Sequence, residues 1–326
     1  MRLLRPVGKG AVALLAGLAA ASCESGTSPR AQPTPTHPAG TLATRVTVSG
    51  RPYGVAVSGA GTVYATRLDS ASLARLDLPG TTVTGFAHVE AAPTDVVFDA
   101  TGTTAYVTNQ YSANVGVVNV ATGTQVDSIP VGGGASPFRV LLSADGRTLY
   151  VSTNSGTVLA VDVASKAVVA TYVLSGAING LALHPTRPLL YATSVTTGYL
   201  FEINLTTGAI RALNIGGAPQ DVAVSSDGTR IYVANETGPL DVRDDSTGAE
   251  IASVAAVTGG LGARLSPDGA VLYVTTPATG DLWLVNTSTL AAQAVSLGGI
   301  PRRIAFDRYG TTAVVTNETG EVDVIR

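Results

Sequence analysis

Acidic and basic side chains recur at one position of the chain, the third residue of a short apolar segment. Asp95 and Asp221 hold this position in PTDVVF and PQDVAV, and Arg139 holds it in PFRVLL. Asn235 and Glu236 follow the end of a second kind of segment, RIYVA. Carboxylate and amide oxygens could bind calcium, whereas carboxylates beside arginines commonly form ion pairs around a solvated opening. We predict ion pairs, no metal site and no cofactor, with calcium as the alternative.

Other catalytic chemistry has little support in the sequence. The three histidines, His37, His88 and His184, lie far apart, so no zinc-binding spacing exists. The chain lacks a Gly-x-Ser-x-Gly nucleophile motif, and Cys23 is its only cysteine. The glycine run 132–134 precedes a strand-like segment, so it is interpreted as a loop rather than a phosphate-binding turn. We predict a binding protein without catalytic residues, and an enzymatic activity stays open.

An internal repeat supplies the elements that position these side chains. Seven segments of one type, such as RTLYVST and TRIYVAN, recur with anchor residues 41 to 44 positions apart. The anchors are Tyr64, Tyr106, Tyr150, Tyr191, Tyr232, Tyr273 and Val314. Each repeat contains about four strand-like segments separated by turns such as Asp-Gly, and none has helical periodicity. The repeat predicts an all-β fold, a seven-bladed β-propeller of four-stranded blades.

The two ends of the repeat array complete each other. The seventh copy stops at VDVIR after three strand-like segments, and the unassigned segment 41–48 precedes the first copy. We predict that residues 44–48 pair with residues 322–325, so that the N-terminal strand closes the ring. Closure would cover sheet edges that are otherwise open to aggregation. The predicted propeller domain is residues 41–326.

The N-terminus has the features of an export signal. Arg2, Arg5 and Lys9 precede an apolar run, residues 11–21, which is too short to span a membrane. Residues 1–22 are therefore predicted to be a lipoprotein signal peptide, because the run ends in the sequence AASC, residues 20–23, which resembles a bacterial lipobox.

Cys23 is the predicted site of lipidation. Residues 23–40 are rich in Pro, Ser and Thr, and they contain too few apolar side chains to offset the cost of ordering, so they are predicted to be a disordered tether. Glu24 is not the aspartate associated with inner-membrane retention, which favours the outer membrane or the cell surface. The protein is thus expected to be exported and lipid-anchored to the cell envelope.

Charge limits the range of partners. The chain has 20 Lys+Arg and 23 Asp+Glu, a net charge of −3. Without a basic excess, nucleic acid is not an expected partner. We expect a monomer that contacts the membrane through its lipid.

Three segments carry a family resemblance: TAYVTNQ at 104–110, RIYVANE at 230–236 and AVVTNET at 313–319. They resemble the YVTN-type β-propeller repeat, a family that includes surface-layer and YncE-like proteins. The resemblance covers residues 41–326 and implies the fold more than the function. A tethered ring without a catalytic constellation predicts a binding or interaction scaffold for an unknown protein, glycan or small ligand. The alternatives are a metal-dependent, lactonase-like hydrolase at the channel mouth and a structural surface-layer component.

The resemblance also implies where a ligand would bind. In such propellers the beginnings of the first strands and the loops between the second and third strands surround one mouth of the central channel. Mixed charges there suit a polar or zwitterionic ligand or a protein loop. The candidate ligand-binding residues are Tyr53, Asp95, Arg139, Asp221, Asn235, Glu236, Arg302 and Arg303.

Overall fold

The computed structural model describes residues 33–80 and 82–326, and within these ranges the regular structure is β-strand, with no α-helix. The 28 strands of the described residues are β1 (Leu42–Thr47), β2 (Pro52–Val57), β3 (Thr62–Arg67), β4 (Ser72–Asp77), β5 (Val83–His88), β6 (Pro93–Phe98), β7 (Thr104–Asn109), β8 (Asn114–Asn119), β9 (Thr124–Pro130), β10 (Pro137–Leu142), β11 (Thr148–Thr153), β12 (Thr157–Asp162), β13 (Ala167–Val173), β14 (Ile178–Leu183), β15 (Leu189–Ser194), β16 (Tyr199–Asn204), β17 (Ile210–Asn214), β18 (Pro219–Val224), β19 (Arg230–Asn235), β20 (Pro239–Asp244), β21 (Glu250–Thr258), β22 (Gly262–Leu265), β23 (Val271–Thr276), β24 (Asp281–Asn286), β25 (Ala292–Ser296), β26 (Pro301–Phe306), β27 (Ala313–Asn317) and β28 (Glu321–Ile325).

The strands form a β-propeller arrangement of antiparallel sheets. Four consecutive sheets contain β10–β13, β14–β17, β18–β21 and β22–β25, and a fifth has the order β1-β28-β27-β26. The remaining strands form one eight-stranded sheet with the order β2-β3-β4-β5-β9-β8-β7-β6. The structure therefore differs from the expected seven separate four-stranded sheets. The cause is one parallel residue pair, His88 with Thr124, where the amide of His88 donates to the carbonyl of Gly123 at 3.3 Å.

The first strands of successive repeats surround an axial channel. Each of them contacts the next around the ring, and the last also contacts the first; these strands are β2, β6, β10, β14, β18, β22 and β26. Because the ring returns to its beginning, every inner strand has a neighbour on both sides. Side chains near the start of these strands therefore meet although they are distant in sequence.

The N-terminal and C-terminal strands share one sheet. In the pair of β1 with β28, Val46 lies opposite Val322, and Thr44 lies opposite Val324. The Nε atom of Arg45 donates to Asp323 at 2.7 Å, and the Asp323 side chain is fully buried. This is the pairing that the sequence predicted, and it gives the last sheet its fourth strand.

The repeated tyrosines occupy equivalent places in the second strands. Most anchors lie opposite the fifth residue of the first strand, as Tyr64 does with Ala56 and Tyr232 with Ala223, whereas Tyr273 lies opposite Arg264, the third residue of the shorter β22. Tyr64 packs against Val96 and Val107 of the following repeat. The anchors therefore join neighbouring repeats through burial, which explains why an aromatic residue recurs at this spacing.

The folded part begins before the expected boundary at residue 41. The amide of Thr36 donates to the carbonyl of Tyr309 at 2.9 Å, and His37 Nδ1 lies 2.7 Å from Asp268. The hydroxyl of Tyr273 donates to the carbonyl of Pro38 at 2.6 Å. Residues 36–40, expected in the tether, thus pack on the sheets. This packing was not predicted because the groups that hold these residues are distant in the chain, 231 positions away for His37 and 235 for Pro38.

The segment predicted to be a signal peptide, residues 1–22, and the predicted lipidation site Cys23 lie outside the described residues. Among the residues that are described, no helix has the length and apolar character needed to cross a membrane.

Candidate ligand-binding channel

Equivalent residues near the start of the first strands form a ring around the channel; each is the third residue of its strand, except in the shorter β22, where it is the first. In order around the axis, the ring contains Gly54, Asp95, Arg139, Gly180, Asp221, Gly262 and Arg303. Two carboxylates and two guanidinium groups are thus separated by three residues without side chains. The structure brings four of the sequence-predicted site residues together in this ring.

Hydroxyl groups of the second strands fix the backbone of this ring. The amides of Asp95 and Arg303 donate to the hydroxyls of Thr108 and Thr316, each at 3.0 Å. These bonds lie where the register between first and second strands shifts, so the hydroxyl replaces a missing ladder bond. The Thr108 hydroxyl also lies 3.1 Å from the carbonyl of Phe138 in the next repeat. The recurrent threonine near the end of the second strand therefore positions the charged ring.

The four charged residues form one connected network. Arg303 Nη1 lies 2.7 Å from Asp221 Oδ2, and Arg139 Nη2 lies 3.4 Å from the same carboxylate. Arg139 Nη1 reaches Asp95 at 3.5 Å. Each carboxylate also accepts a backbone amide of the next first strand, at 3.1 Å: Asp95 from Val140 and Asp221 from Ala263. The carboxylates thus hold both arginines and tie adjacent first strands together.

Glycine lets these side chains reach across a strand. A Cβ atom at Gly180 would lie 2.6 Å from the Asp221 Cα and 2.9 Å from its Oδ1. Gly54 has the same relation to Asp95, at 2.7 and 3.1 Å. Any side chain at either position would displace the carboxylate of the next strand, so the network requires these glycines.

The charges of the ring hold Arg139 protonated. Burial alone lowers the pKa of Arg139, but the carboxylates of Asp221 and Asp95 outweigh it, so that the pKa is raised. Because two acids face two arginines, the ring itself carries no net charge.

Arg264 is a channel residue that the sequence reasoning missed. It lies on β22, two residues after Gly262 and therefore on the same face of the strand. It lines two cavities, and the other first strands form the rest of their walls. The Arg264 side chain is exposed to the channel, and desolvation by the channel wall and the nearby Arg139 both lower its pKa. Within the described residues, the Arg264 side chain makes no hydrogen bond or ion pair. The available signal was its position, because the other six repeats have Ala, Val or Leu there.

An aromatic group lies beside the charged ring at the channel mouth. The Tyr53 ring is 5.5 Å from the guanidinium carbon of Arg302 and 5.7 Å from that of Arg303. It also packs edge-on against Phe138 with ring centroids 5.7 Å apart. Arg302 is paired with Glu318, so this mouth combines one aromatic face with several compensated charges.

Asn235 and Glu236 do not join this network. Asn235 Nδ2 donates to the carbonyl of Gly216 at 3.1 Å, and its Oδ1 accepts the amide of Ala218 at 2.9 Å. Asn317 makes the corresponding bonds in another repeat, with Gly298 and Ile300. These asparagines therefore hold the loop between repeats. Glu236 is exposed and accepts a hydrogen bond from Gln220.

The acidic residues do not form a cation cage. Asp95 and Asp221 converge on Arg139, whereas Glu236 lies at Gln220. Across the described part of the chain, no group of three or more His, Cys, Asp or Glu side chains is placed to hold a metal ion.

Comparisons with known proteins were consistent with the fold. No family model matches the chain, and no curated protein sequence matches it. Among solved structures, hydrazine synthase of Kuenenia stuttgartiensis is similar, with a TM-score of 0.77 and 19% sequence identity. The likeness covers 84% of this chain and 95% of that one. It is a likeness of fold alone.

Proposed function

We propose that this chain is a binding scaffold whose channel mouth receives a polar or zwitterionic small ligand, a glycan or a protein loop. The observation that carries the proposal is the network of Asp95, Arg139, Asp221 and Arg303 beside Tyr53. Side chains from five different first strands are held there with buried charges and little freedom. Such preorganisation lowers the entropic cost of binding.

The scaffold is proposed to be a seven-bladed propeller. The eight-stranded sheet consists of two antiparallel halves, β2–β5 and β6–β9, joined only at His88 and Thr124. Counted as two blades, these halves and the five other sheets make seven. The seven first strands in the closed ring support this count, and so does the resemblance to the YVTN-type repeat.

The scaffold is further proposed to act at the cell envelope, anchored by a lipid at Cys23. The export features of residues 1–22 support this assignment. Mass spectrometry of the protein from its own membranes should show a lipid-modified N-terminal Cys23. Cys23→Ser should block the modification and release the protein from the membrane fraction, and an unmodified mature start would contradict the anchor.

Isothermal titration of the full chain with free amino acids, disaccharides and short peptides tests the mouth. A ligand of the mouth should bind at least tenfold more weakly to Tyr53→Ala, because the half-buried ring supplies an aromatic face at the mouth. Val169→Ser, on the outer strand β13, is the control and should bind normally. Equal affinity in Tyr53→Ala would contradict the proposed mouth.

A lactone panel assayed with and without Ca²⁺, Mg²⁺, Mn²⁺ and Zn²⁺ separates binding from catalysis. The scaffold proposal expects no turnover. Metal-dependent hydrolysis that is lost in Asp221→Ala or Glu236→Ala would replace it with a hydrolase.

A further inference from the structure

A cavity of about 240 Å³ lies inside the channel between β10, β14, β18 and β22. Its wall is aliphatic except for two arginines, Arg139 and Arg264, and no acidic residue lines it. The aliphatic wall consists of Leu141, Leu142, Leu181, Ala182, Leu183, Val222, Ala223, Val224, Ala263 and Leu265. An apolar chamber with positive charge on one side suits a ligand that is itself divided into an apolar and an anionic part.

Both arginines have N–H groups that lack a hydrogen-bond acceptor among the described residues. Arg264 makes no hydrogen bond or ion pair within the described residues. Arg139 is 9% exposed, and its Nε has no hydrogen-bond partner although its two terminal nitrogens face Asp95 and Asp221. An unpaired buried donor is costly, so a bound acceptor would offset that cost.

The charge count favours an anion on this side of the ring. Asp95 and Asp221 already balance Arg139 and Arg303, so Arg264 is an additional positive charge. Asp99 lines the neighbouring cavity, but its oxygens accept hydrogen bonds from Thr101, Thr103 and Thr104. Arg264 is exposed to the channel, and its pKa is lowered by desolvation at the channel wall and by Arg139, as expected for a cation without a paired carboxylate.

We propose that this cavity binds a short-chain aliphatic carboxylate, with the carboxylate between Arg264 and Arg139 and the chain against Leu181 and Val224. The inference rests on the proposed function in taking the channel as the binding site, and it adds the class of ligand. A cavity of about 150 Å³ accepts benzene, so the larger volume here accommodates roughly four to six carbon atoms. Guanidinium groups bind carboxylates through paired, charge-assisted hydrogen bonds.

Isothermal titration of the full chain with butyrate tests the proposal. Butyrate should bind, whereas butanol, butylamine and inorganic phosphate should bind at least tenfold more weakly, because each lacks either the carboxylate or the chain. Butanol binding as tightly as butyrate would overturn the role of the arginines. Phosphate binding as tightly would overturn the role of the apolar wall.

Arg264→Ala is the decisive variant because alanine stands at this position in other repeats, at Ala56, Ala182, Ala223 and Ala305. The variant should fold with an unchanged or higher Tm and should lose at least tenfold in butyrate affinity. Arg264→Lys keeps the charge and should retain part of the affinity, which provides a second measurement if the alanine variant is unstable. Butyrate affinity equal to that of the parent in a folded Arg264→Ala variant would contradict the site. Complete loss of butyrate affinity in a folded Arg264→Lys variant would also contradict it.

The two proposals can fail separately. Tyr53→Ala reports on the mouth and Arg264→Ala reports on the cavity, whereas Val169→Ser on the outer strand β13 is the control that should leave butyrate affinity unchanged. A mouth ligand lost in Tyr53→Ala with no butyrate binding would keep the scaffold proposal and refute the carboxylate site. Butyrate binding that depends on Arg264, with no ligand found for the mouth, would keep the carboxylate site and refute the proposed mouth.

Discussion

Asp221 of β18 and Arg303 of β26 meet at 2.7 Å inside the channel, although 82 residues separate them in the chain. Their side chains are 3% and 2% exposed. Between them lies β22, whose Gly262 leaves the space through which they meet. The pair therefore joins two first strands that are not neighbours, and Arg139 extends the same network to β10.

Asp221→Ala should lower the free energy of unfolding by about 3–5 kcal/mol, because it leaves Arg303 and Arg139 buried without their shared carboxylate. Urea denaturation followed by circular dichroism measures this loss. Asp95→Ala is the comparison and should cost less, since Asp95 meets a single guanidinium, at 3.5 Å. An equal or larger loss in Asp95→Ala would contradict the central place of Asp221.

Gly180→Ala should destabilise the ring by about 1–3 kcal/mol, because its Cβ would overlap the backbone of Asp221. Gly133→Ala is the matched control, since nothing lies within 4 Å of a Cβ added there. Thermal unfolding of both variants provides the comparison. Similar Tm values for the two would show that the close approach at Gly180 is not needed.

Removal of residues 42–47 should abolish cooperative unfolding of the whole domain. The deletion leaves β28 as an unpaired edge and takes away the cation beside the buried Asp323. Thr47→Ala changes only an exposed residue of the same strand and should stay within about 0.5 kcal/mol of the parent. A deleted chain that still unfolds in one sharp transition would refute closure by β1.

The free energy of unfolding should decrease as the pH is lowered, because of His184. Its Nδ1 accepts the amides of Thr186 and Arg187 at 3.1 and 2.9 Å, and its Nε2 lies 3.2 Å from the carbonyl of Gly228 and 3.1 Å from Arg187 Nε. Burial lowers the pKa of His184 below its ordinary value of 6.5. The unfolded chain therefore takes up a proton near pH 6.5 while the folded chain does not, and the unfolding free energy decreases below that pH.

Urea denaturation between pH 7.5 and 5 measures this slope. His184→Ser, which introduces the residue found at Ser143 and Ser225 in other repeats, should reduce it. His88→Ser replaces an exposed histidine and should leave the slope unchanged. A slope that survives in His184→Ser would assign the pH dependence to other groups.

Repetition made most of the fold predictable. The tyrosine anchors and the pairing of residues 44–48 with 322–325 follow from a pattern that is present many times and has one consistent solution. The contact between His88 and Thr124 could not be predicted, because it depends on how closely two outer strands approach each other at a single point.

The same repetition concealed part of the candidate site. Arg264 occupies a position that is aliphatic in every other repeat, and it was not among the candidate residues taken from the beginnings of the first strands. Asn235 showed the opposite effect: a polar residue near the mouth suggested ligand binding, yet its side chain is used by the neighbouring loop. Which polar groups remain free depends on backbone carbonyls and amides that the sequence does not distinguish.

The shared sheet of β1 and β28 has a consequence for biosynthesis. As the chain emerges from its N-terminus, β1 is made first and its partner last, so this sheet is completed only after the whole repeat array exists. A chain that ends just before residue 321 contains every other strand but lacks β28, the partner of β1. The ring therefore closes only after the full length of the chain has been synthesised. A truncated chain would present β1 to a quality-control protease as an unpaired strand edge.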